Sequence, residues 1–303
     1  MSAVRVSSDV ALGARTTYRV GGTVAHEVVV DAASLDELAA TLESLGTPSV
    51  AVGLGSNLLV GDGHHDLTVV RLAVAAEAAD LSWRDGDAGV TVEAGAALGL
   101  PVVARRLAAE GIVDFEWAVG IPGSVGGAVA MNAGGHGSSM DAVVTAAQVW
   151  RAGTLAWMPP SELAFGYRTS AIEVGDVVVR VRLALARGDA ETAKGRVREI
   201  VQWRRENQPG GANAGSVFQN PVGDHAGRLL DAAGCKGLRH GGARVSEKHA
   251  NFILADPDGH ARDILTLMRE MRRRVADQFG VVLRTEHRLI GVGEDQWPAE
   301  PAA

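Results

Sequence analysis

Cysteine is almost absent from this chain, with Cys235 alone among 303 residues. Without a second thiol there can be no internal disulfide and no cysteine-based zinc or iron–sulfur ligand set, and no metal is expected. Flanked by Gly234 and Lys236, Cys235 reads as a small packing residue. No apolar run approaches the roughly 18–20 residues of a membrane span. The opening MSAVRVSSDV lacks the basic-then-apolar order of a secretory leader, so a cytoplasmic protein without a membrane partner is expected. An excess of positive charge is missing too. The net charge of −7 argues against non-specific nucleic-acid binding. No G-x-x-x-x-G-K-S/T loop, G-x-S-x-G elbow or H-E-x-x-H pair occurs, which removes the commonest nucleotide-hydrolase, serine-hydrolase and zinc-protease readings. His64-His65 sits in a Gly- and Asp-rich turn and reads as a solvated loop.

Glycine, by contrast, is plentiful. Gly120 to Gly137 reads GIPGSVGGAVAMNAGGHG and holds no Asp, Glu, Lys or Arg. Such a run loses more backbone entropy on folding than other sequences, so something must offset it. The usual gain is close approach of backbone amides to an anionic group. A second loop, Gly53-Leu54-Gly55-Ser56-Asn57-Leu58, lies upstream between two short apolar runs. Its order is strand, loop, strand. A dinucleotide-binding turn needs strand, G-x-G-x-x-G, helix, and here Leu58 stands where the third glycine belongs. The two loops together predict a cradle for a phosphate-bearing cofactor outside the Rossmann class.

The remaining pattern alternates strands and helices, which predicts an α/β or α+β protein of at least two domains. Val28–Val30 reads as a buried strand. Ser34-Leu-Asp-Glu37 has the spacing of a capping box, followed by Leu35, Leu38, Leu42 and Leu45 on one helical face and a stop at Gly46. Leu98 to Glu110 reads as a helix closed by Gly111. A polar stretch, RGDAET at 187–192, marks a boundary, and a basic helix follows over about 192–206. The segment from Ala261 to Phe279 is the clearest helix, with Ile264, Met268, Met271 and Val275 on one face and Gly280 after it. VVLRTEHRLIGVG reads as two short strands, and the tail 296–303 as disordered. Domains are expected at 1–65, 66–188 and 189–295, the first two carrying the glycine loops.

Three polar residues stand in settings that invite chemistry: Arg168 in Gly-Tyr-Arg-Thr-Ser, Ser216 in Ala-Gly-Ser-Val-Phe, and Glu286 in Thr-Glu-His-Arg-Leu. Taken singly, they read as a surface or paired cation, a cap or turn residue and a strand-edge carboxylate. His249 alternates with Phe252 and Leu254 and reads as a partly buried group able to orient a ligand.

Assembled, these segments resemble the UDP-N-acetylenolpyruvoylglucosamine reductase family of flavoenzymes. The matching stretches are TTYRVGG, VGLGSNLLV, GIPGSVGGAVAMNAGGHG, FGYRTS, AGSVFQNP, GRLLDAAGCKG, RVSEKHANFI and TEHRLIG, from about residue 16 to residue 291. The resemblance implies a vanillyl-alcohol-oxidase-type fold, with two α/β subdomains holding FAD and a smaller α+β substrate-binding domain. It assigns cofactor contacts to Gly53, Leu54, Gly55, Ser56, Asn57 and Leu58, and to Gly120, Ile121, Pro122, Gly123, Ser124, Gly126, Gly127, Asn132 and Ala133. Relatives that tether flavin covalently often carry His in the first loop. Asn57 stands in that region here, so noncovalent FAD is expected.

The family's reaction, on this resemblance, has two halves. NADPH reduces FAD and NADP leaves. The enolpyruvyl sugar nucleotide then accepts hydride from flavin N5 at C3 and a proton at C2. Ser216 matches the proton donor, and Arg168 and Glu286 match the groups that polarise the substrate carboxylate. Tyr167, Asn220 and His249 match candidate substrate contacts. The short interval between Arg168 and Ser216 leaves no room for the tyrosine-bearing loop of one subtype. The family often has a lysine before the catalytic serine, whereas Glu206-Asn207-Gln208-Pro209 stands here, so Arg204 or Arg205 would have to meet the diphosphate. Ala130 and His136 occupy places where the family often has an aromatic. Small-molecule partners only, and a monomer, are expected. Another FAD-dependent oxidoreductase of this fold, or a non-catalytic flavin binder, would need no such triplet as Arg168, Ser216 and Glu286.

Overall fold

The structure is a computed structural model that describes residues 4–73 and 80–297. Of the tail expected to be disordered, 298–303 lie outside the described residues, but Gln296 and Trp297 are ordered: both donate their N–H to Gly293 O, and Trp297 is buried in an apolar core. The chain packs as two units, each built from three segments. The first holds residues 1–8, 25–54 and 66–204, and the second 9–24, 55–65 and 205–303.

The first unit has two apolar cores. The smaller lies under a four-stranded sheet in the order Val4–Val10, Thr23–Val30, His64–Leu72, Ser49–Ala51, whose first three strands have end residues in the second unit. Val28, Val30, Leu35, Leu38 and Val70 fill that core. The helix Asp36–Leu45 covers it and ends on Gly46, which adopts φ 67° and donates its N–H to Leu42. The expected capping box does not form. Ala32–Ser34 is a 3-10 turn, Ser34 N donates to Asp31 O, and Leu35 becomes the N-cap with no side-chain cap. Burial of Leu35 in the core outweighs the local capping preference.

The larger core belongs to an antiparallel sheet ordered Thr154–Met158, Val144–Arg151, Val177–Arg187, Gly89–Gly95, Leu81–Gly86. Its central strand, Val177–Arg187, alternates Val181, Leu183 and Leu185 inward with Arg180 and Arg182 outward, the period-2 pattern of a half-covered sheet. Three helices, Leu100–Ala109, Val125–Ala130 and Ala190–Asn207, join that core. The last packs through Ala193, Val197 and Ile200.

The second unit is centred on the helix Ala261–Phe279. Ile264, Met268, Met271 and Val275 are fully buried, as the four- and three-residue spacing requires. Gly280 caps it at φ 68°. Around it lie the helix Ala226–Ala232, a small sheet of Arg239–His240, Ala243–Val245 and Ile253–Ala255, and a parallel pair, Leu58–Val60 with Arg288–Ile290. Only one strand forms in the closing segment. The other expected strand joins no ladder. Leu283 is buried in the core, and Thr285 makes a single bridge with Phe218.

Candidate functional site

The start of the first glycine loop, Gly53-Leu54, meets the second glycine segment within the first unit. Gly53 lies so close to Ser124 that a Cβ at 53 would stand 2.2 Å from Ser124 Oγ. Gly126 is equally constrained, since a Cβ there would come within 2.9 Å of the Ala96 methyl. At both positions the contact is with protein, so glycine is required for the segments to touch. Ser124 then caps the short helix Val125–Ala130 by accepting from Gly127 N at 3.2 Å. Gly123 takes φ 127° and its carbonyl accepts from Leu100 N.

Behind this segment the backbone is strained. Asn132, His136 and Arg168 all adopt positive φ, at 41°, 52° and 57°. Such geometry costs of order 1–3 kcal/mol per residue and persists only where the surroundings enforce it. Here they do. Asn132 Nδ2 donates to Gly166 O at 2.9 Å, and its Oδ1 accepts from Asp141 N. Arg168 Nη2 donates to Gly134 O at 2.9 Å, and Ser170 Oγ donates to Ala130 O. The glycine segment therefore clamps the loop that carries Arg168. Tyr167 is exposed, with the Arg168 guanidinium 5.3 Å from its ring centre.

His136 packs edge-on against Trp203 at 5.0 Å. Burial, then the charges of Arg196 and Arg204, lower its pKa. Arg204 is itself half-buried, its pKa lowered by burial, and among the described residues it has no carboxylate partner. Arg205 belongs to the second unit, where its carbonyl accepts from Lys248 Nζ.

In the second unit Ser216 and Glu286 are brought together. Glu286 N donates to Val217 O at 2.8 Å, Thr285 Oγ1 donates to the same carbonyl at 3.1 Å, and Gln219 N donates to Arg284 O. Ser216 follows Gly215, which takes φ 82° in a turn closed by Asn213 Oδ1. Both side chains are half-buried. Beneath them Asn251, which is buried, holds the 217–218 backbone through three bonds. Its carbonyl accepts from Val217 N, its Oδ1 accepts from Phe218 N, and its Nδ2 donates to Phe218 O. No sequence signal set Asn251 apart from its neighbours, because its partners lie 33 positions away.

The remainder of the first loop, Gly55–Leu58, also belongs to the second unit and adjoins Glu286. Asn57 Nδ2 donates to Glu286 O at 2.8 Å, and Asn57 O accepts from Arg288 N. Asn57 thus commits its side chain to the 286–288 segment. Asn220 Oδ1 caps the helix Ala226–Ala232 by accepting from Ala226 N. The His249 ring accepts from Asn251 N through Nδ1 and lies against Gly227, and burial leads the lowering of its pKa. Arg168 stands in the first unit, apart in the chain from this pair.

The loops suit a flavin nucleotide chemically. A diphosphate needs amide and hydroxyl donors and no nearby carboxylate. Residues 53–58 and 120–137 carry no acidic side chain and contribute Ser56 and Ser124. Beside Gly55, whose carbonyl accepts from Thr17 N, the Thr17 hydroxyl is buried with no partner among the described residues. Such an orphan costs about 1–3 kcal/mol unless a ligand meets it.

Comparison with known proteins gives two family matches. A family model described as FAD binding domain matches residues 26–156. Another, described as UDP-N-acetylenolpyruvoylglucosamine reductase, C-terminal domain, matches residues 207–290. The UDP-N-acetylenolpyruvoylglucosamine reductase of Paramagnetospirillum magneticum is 42% identical over 295 residues, 96% of this chain and 94% of that one. That of Acidiphilium cryptum is 42% identical over 293 residues, 95% and 92% respectively. A crystal structure of the reductase from Thermus caldophilus superposes with a TM-score of 0.80 at 36% identity, covering 95% of this chain and 99% of that one. The α/β FAD-binding fold expected from the sequence is borne out.

Proposed function

The chain belongs to the UDP-N-acetylenolpyruvoylglucosamine reductase family, and from that membership we propose how its residues divide the work. It is an FAD-dependent oxidoreductase that reduces the enolpyruvyl group of UDP-N-acetylglucosamine-enolpyruvate to give UDP-N-acetylmuramate, with NADPH as reductant, in peptidoglycan precursor synthesis. When bound, FAD relays hydride from NADPH to C3 of the enolpyruvyl group.

The loops Gly53–Leu58 and Gly120–Gly127, with Asn132 and Ala133 behind, hold FAD noncovalently through amides and the Ser124 hydroxyl. Arg168 grips the substrate carboxylate. Its guanidinium is planar and always charged, so it strengthens its hold as negative charge moves into that group. Glu286, in its neutral acid form, donates a hydrogen bond to the same enolate-like charge. Ser216 delivers the proton to C2. A serine hydroxyl is a weak acid, but an enolate of a carboxylate is basic enough to take its proton. Tyr167, Asn220 and His249 line the substrate. Arg204, half-buried and lacking a carboxylate partner among the described residues, supplies the charge for the diphosphate. The two cores of the first unit are read as the cofactor subdomains, and the second unit as the substrate domain that the sequence bounded at 189–295. A cytoplasmic monomer acting on small molecules alone completes the reading. No helix among the described residues is long and apolar enough to cross a membrane.

The observation that carries the assignment is the pairing of the Ser216 and Glu286 segments by Glu286 N to Val217 O. The test follows the two halves separately. Holoenzyme should bleach anaerobically with NADPH and recover its colour with the enolpyruvyl sugar nucleotide. Recovery as fast with oxygen alone would favour an oxidase, and protein that takes up no FAD would favour neither.

A further inference from the structure

Four groups of the second unit form one unbroken hydrogen-bonded chain. Tyr18 Oη lies 3.0 Å from His287 Nε2, His287 Nδ1 lies 3.1 Å from Asn57 Oδ1, and Asn57 Nδ2 donates to Glu286 O at 2.8 Å. Tyr18 is fully buried and His287 is 3% exposed. The direction of every proton follows from the last link. Asn57 turns its Nδ2 to a carbonyl, so its Oδ1 faces the imidazole and can only accept. His287 Nδ1 must therefore carry the ring proton. In a neutral ring Nε2 is then bare and accepts the Tyr18 hydroxyl. Each buried atom in the chain is satisfied in one arrangement only.

This arrangement holds one peptide from both sides. Glu286 donates its N–H to Val217, next to Ser216, and its carbonyl accepts from Asn57, in the glycine loop. The parallel ladder of that loop with the closing strand starts one step later, at Leu58 with Arg288. At the residue before, Asn57 keeps one backbone bond, its carbonyl accepting from Arg288 N, and its side chain adds the links to Glu286 O and to His287.

We propose that His287, fixed by Tyr18 in the Nδ1–H tautomer, is a positioning residue that locks Asn57 between the cofactor loop and the Glu286 peptide. It touches neither cofactor nor substrate. It sets the distance between the loop that faces the flavin and the residue that meets the substrate enolate. This rests on the roles given above to Glu286 and to residues 53–58. Burial also holds the His287 pKa near 3, so the lock stays neutral over the working range.

Two measurements test it. The first uses holoenzyme with 15N-labelled histidine rings and assigns the His287 signals by comparison with His287→Asn. A protonated Nδ1 and a bare Nε2, unchanged between about pH 5 and about pH 8, are expected. The opposite tautomer, or a ring that titrates in that window, overturns the proposal. The second compares His287→Leu, which deletes both links, with His287→Asn, which keeps a donor toward Asn57. The Leu variant should weaken FAD binding and slow reoxidation by the sugar nucleotide, each roughly ten- to a hundredfold, the scale of one unsatisfied buried partner. Reduction of its bound flavin by NADPH should be unchanged, and His287→Asn should restore most of the loss. Equal loss in both half-reactions, or no rescue, leaves only a general structural role and overturns the positioning claim. If His287→Leu does not fold, the ring signals decide alone. Wild-type enzyme that fails to turn over would defeat the functional reading instead, which separates the two failures.

Discussion

Ser216 is the residue whose replacement separates the two halves of the reaction. In the proposed division of work its hydroxyl has no part in hydride arrival from NADPH, so Ser216→Ala should bleach at the wild-type rate. Reoxidation by the sugar nucleotide should fall by about 10²–10⁴, the usual worth of a positioned acid. Stopped-flow absorbance of the flavin reads both. Arg204→Gln should raise KM for the sugar nucleotide about tenfold with little change in kcat, as loss of ground-state phosphate binding does. Ser216, Glu286 and Arg168 stand out as candidates because each sits inside a short stretch with its own family pattern, and the pairing of the Ser216 and Glu286 segments is what the fold adds. The Tyr18–His287–Asn57 chain was not, because its first link spans 269 positions. Nothing local distinguishes a buried histidine from one on a strand edge.

Periodic elements read well and their ends less so. The helix Ala261–Phe279 came out of its own spacing, but the residue that holds its start did not. Asp62, from a distant loop, accepts from Ala261 N through Oδ1 and from Arg262 N through Oδ2, each at 3.0 Å. The His260–Asp263 capping box adds to it. Asp62→Ala should cost about 1 kcal/mol in urea denaturation, the loss of an N-cap. Ser34 shows the converse, a capping box visible in sequence that a buried Leu35 displaces. The loop contact at Gly53 predicts a further pair. Gly53→Ala should lower FAD occupancy, measured as flavin absorbance per chain, because the new Cβ would overlap Ser124 Oγ. Adding Ser124→Ala should relieve the overlap and so recover part of the urea midpoint, but not the FAD occupancy, because the hydroxyl it removes is itself assigned to FAD.

At the scale of the whole chain, the sequence reads as consecutive blocks, whereas the packing draws three segments into each unit. Only long-range packing reveals that division, since no composition change marks residues 8, 24 or 54. The buried His287, with the half-buried His249 and the more exposed His136, gives the molecule a pH response. His287 has a pKa of about 3 in the fold against 6.5 as an ordinary value, and His136 and His249 shift the same way. Below about 6.5 the unfolded chain binds a proton that the fold refuses, so acid favours unfolding. Stability should be full above that value and fall by about 2 kcal/mol between pH 6.5 and about pH 5 from His287 alone. Urea midpoints across that range should show the slope, and His287→Asn should flatten it.

Anaerobic titration of the purified holoenzyme decides whether the protein runs the proposed reaction. NADPH should bleach the flavin, and the enolpyruvyl sugar nucleotide should then restore the colour and yield UDP-N-acetylmuramate, mole for mole. Bleaching without reoxidation by that substrate, or reoxidation as fast by oxygen alone, would contradict the account.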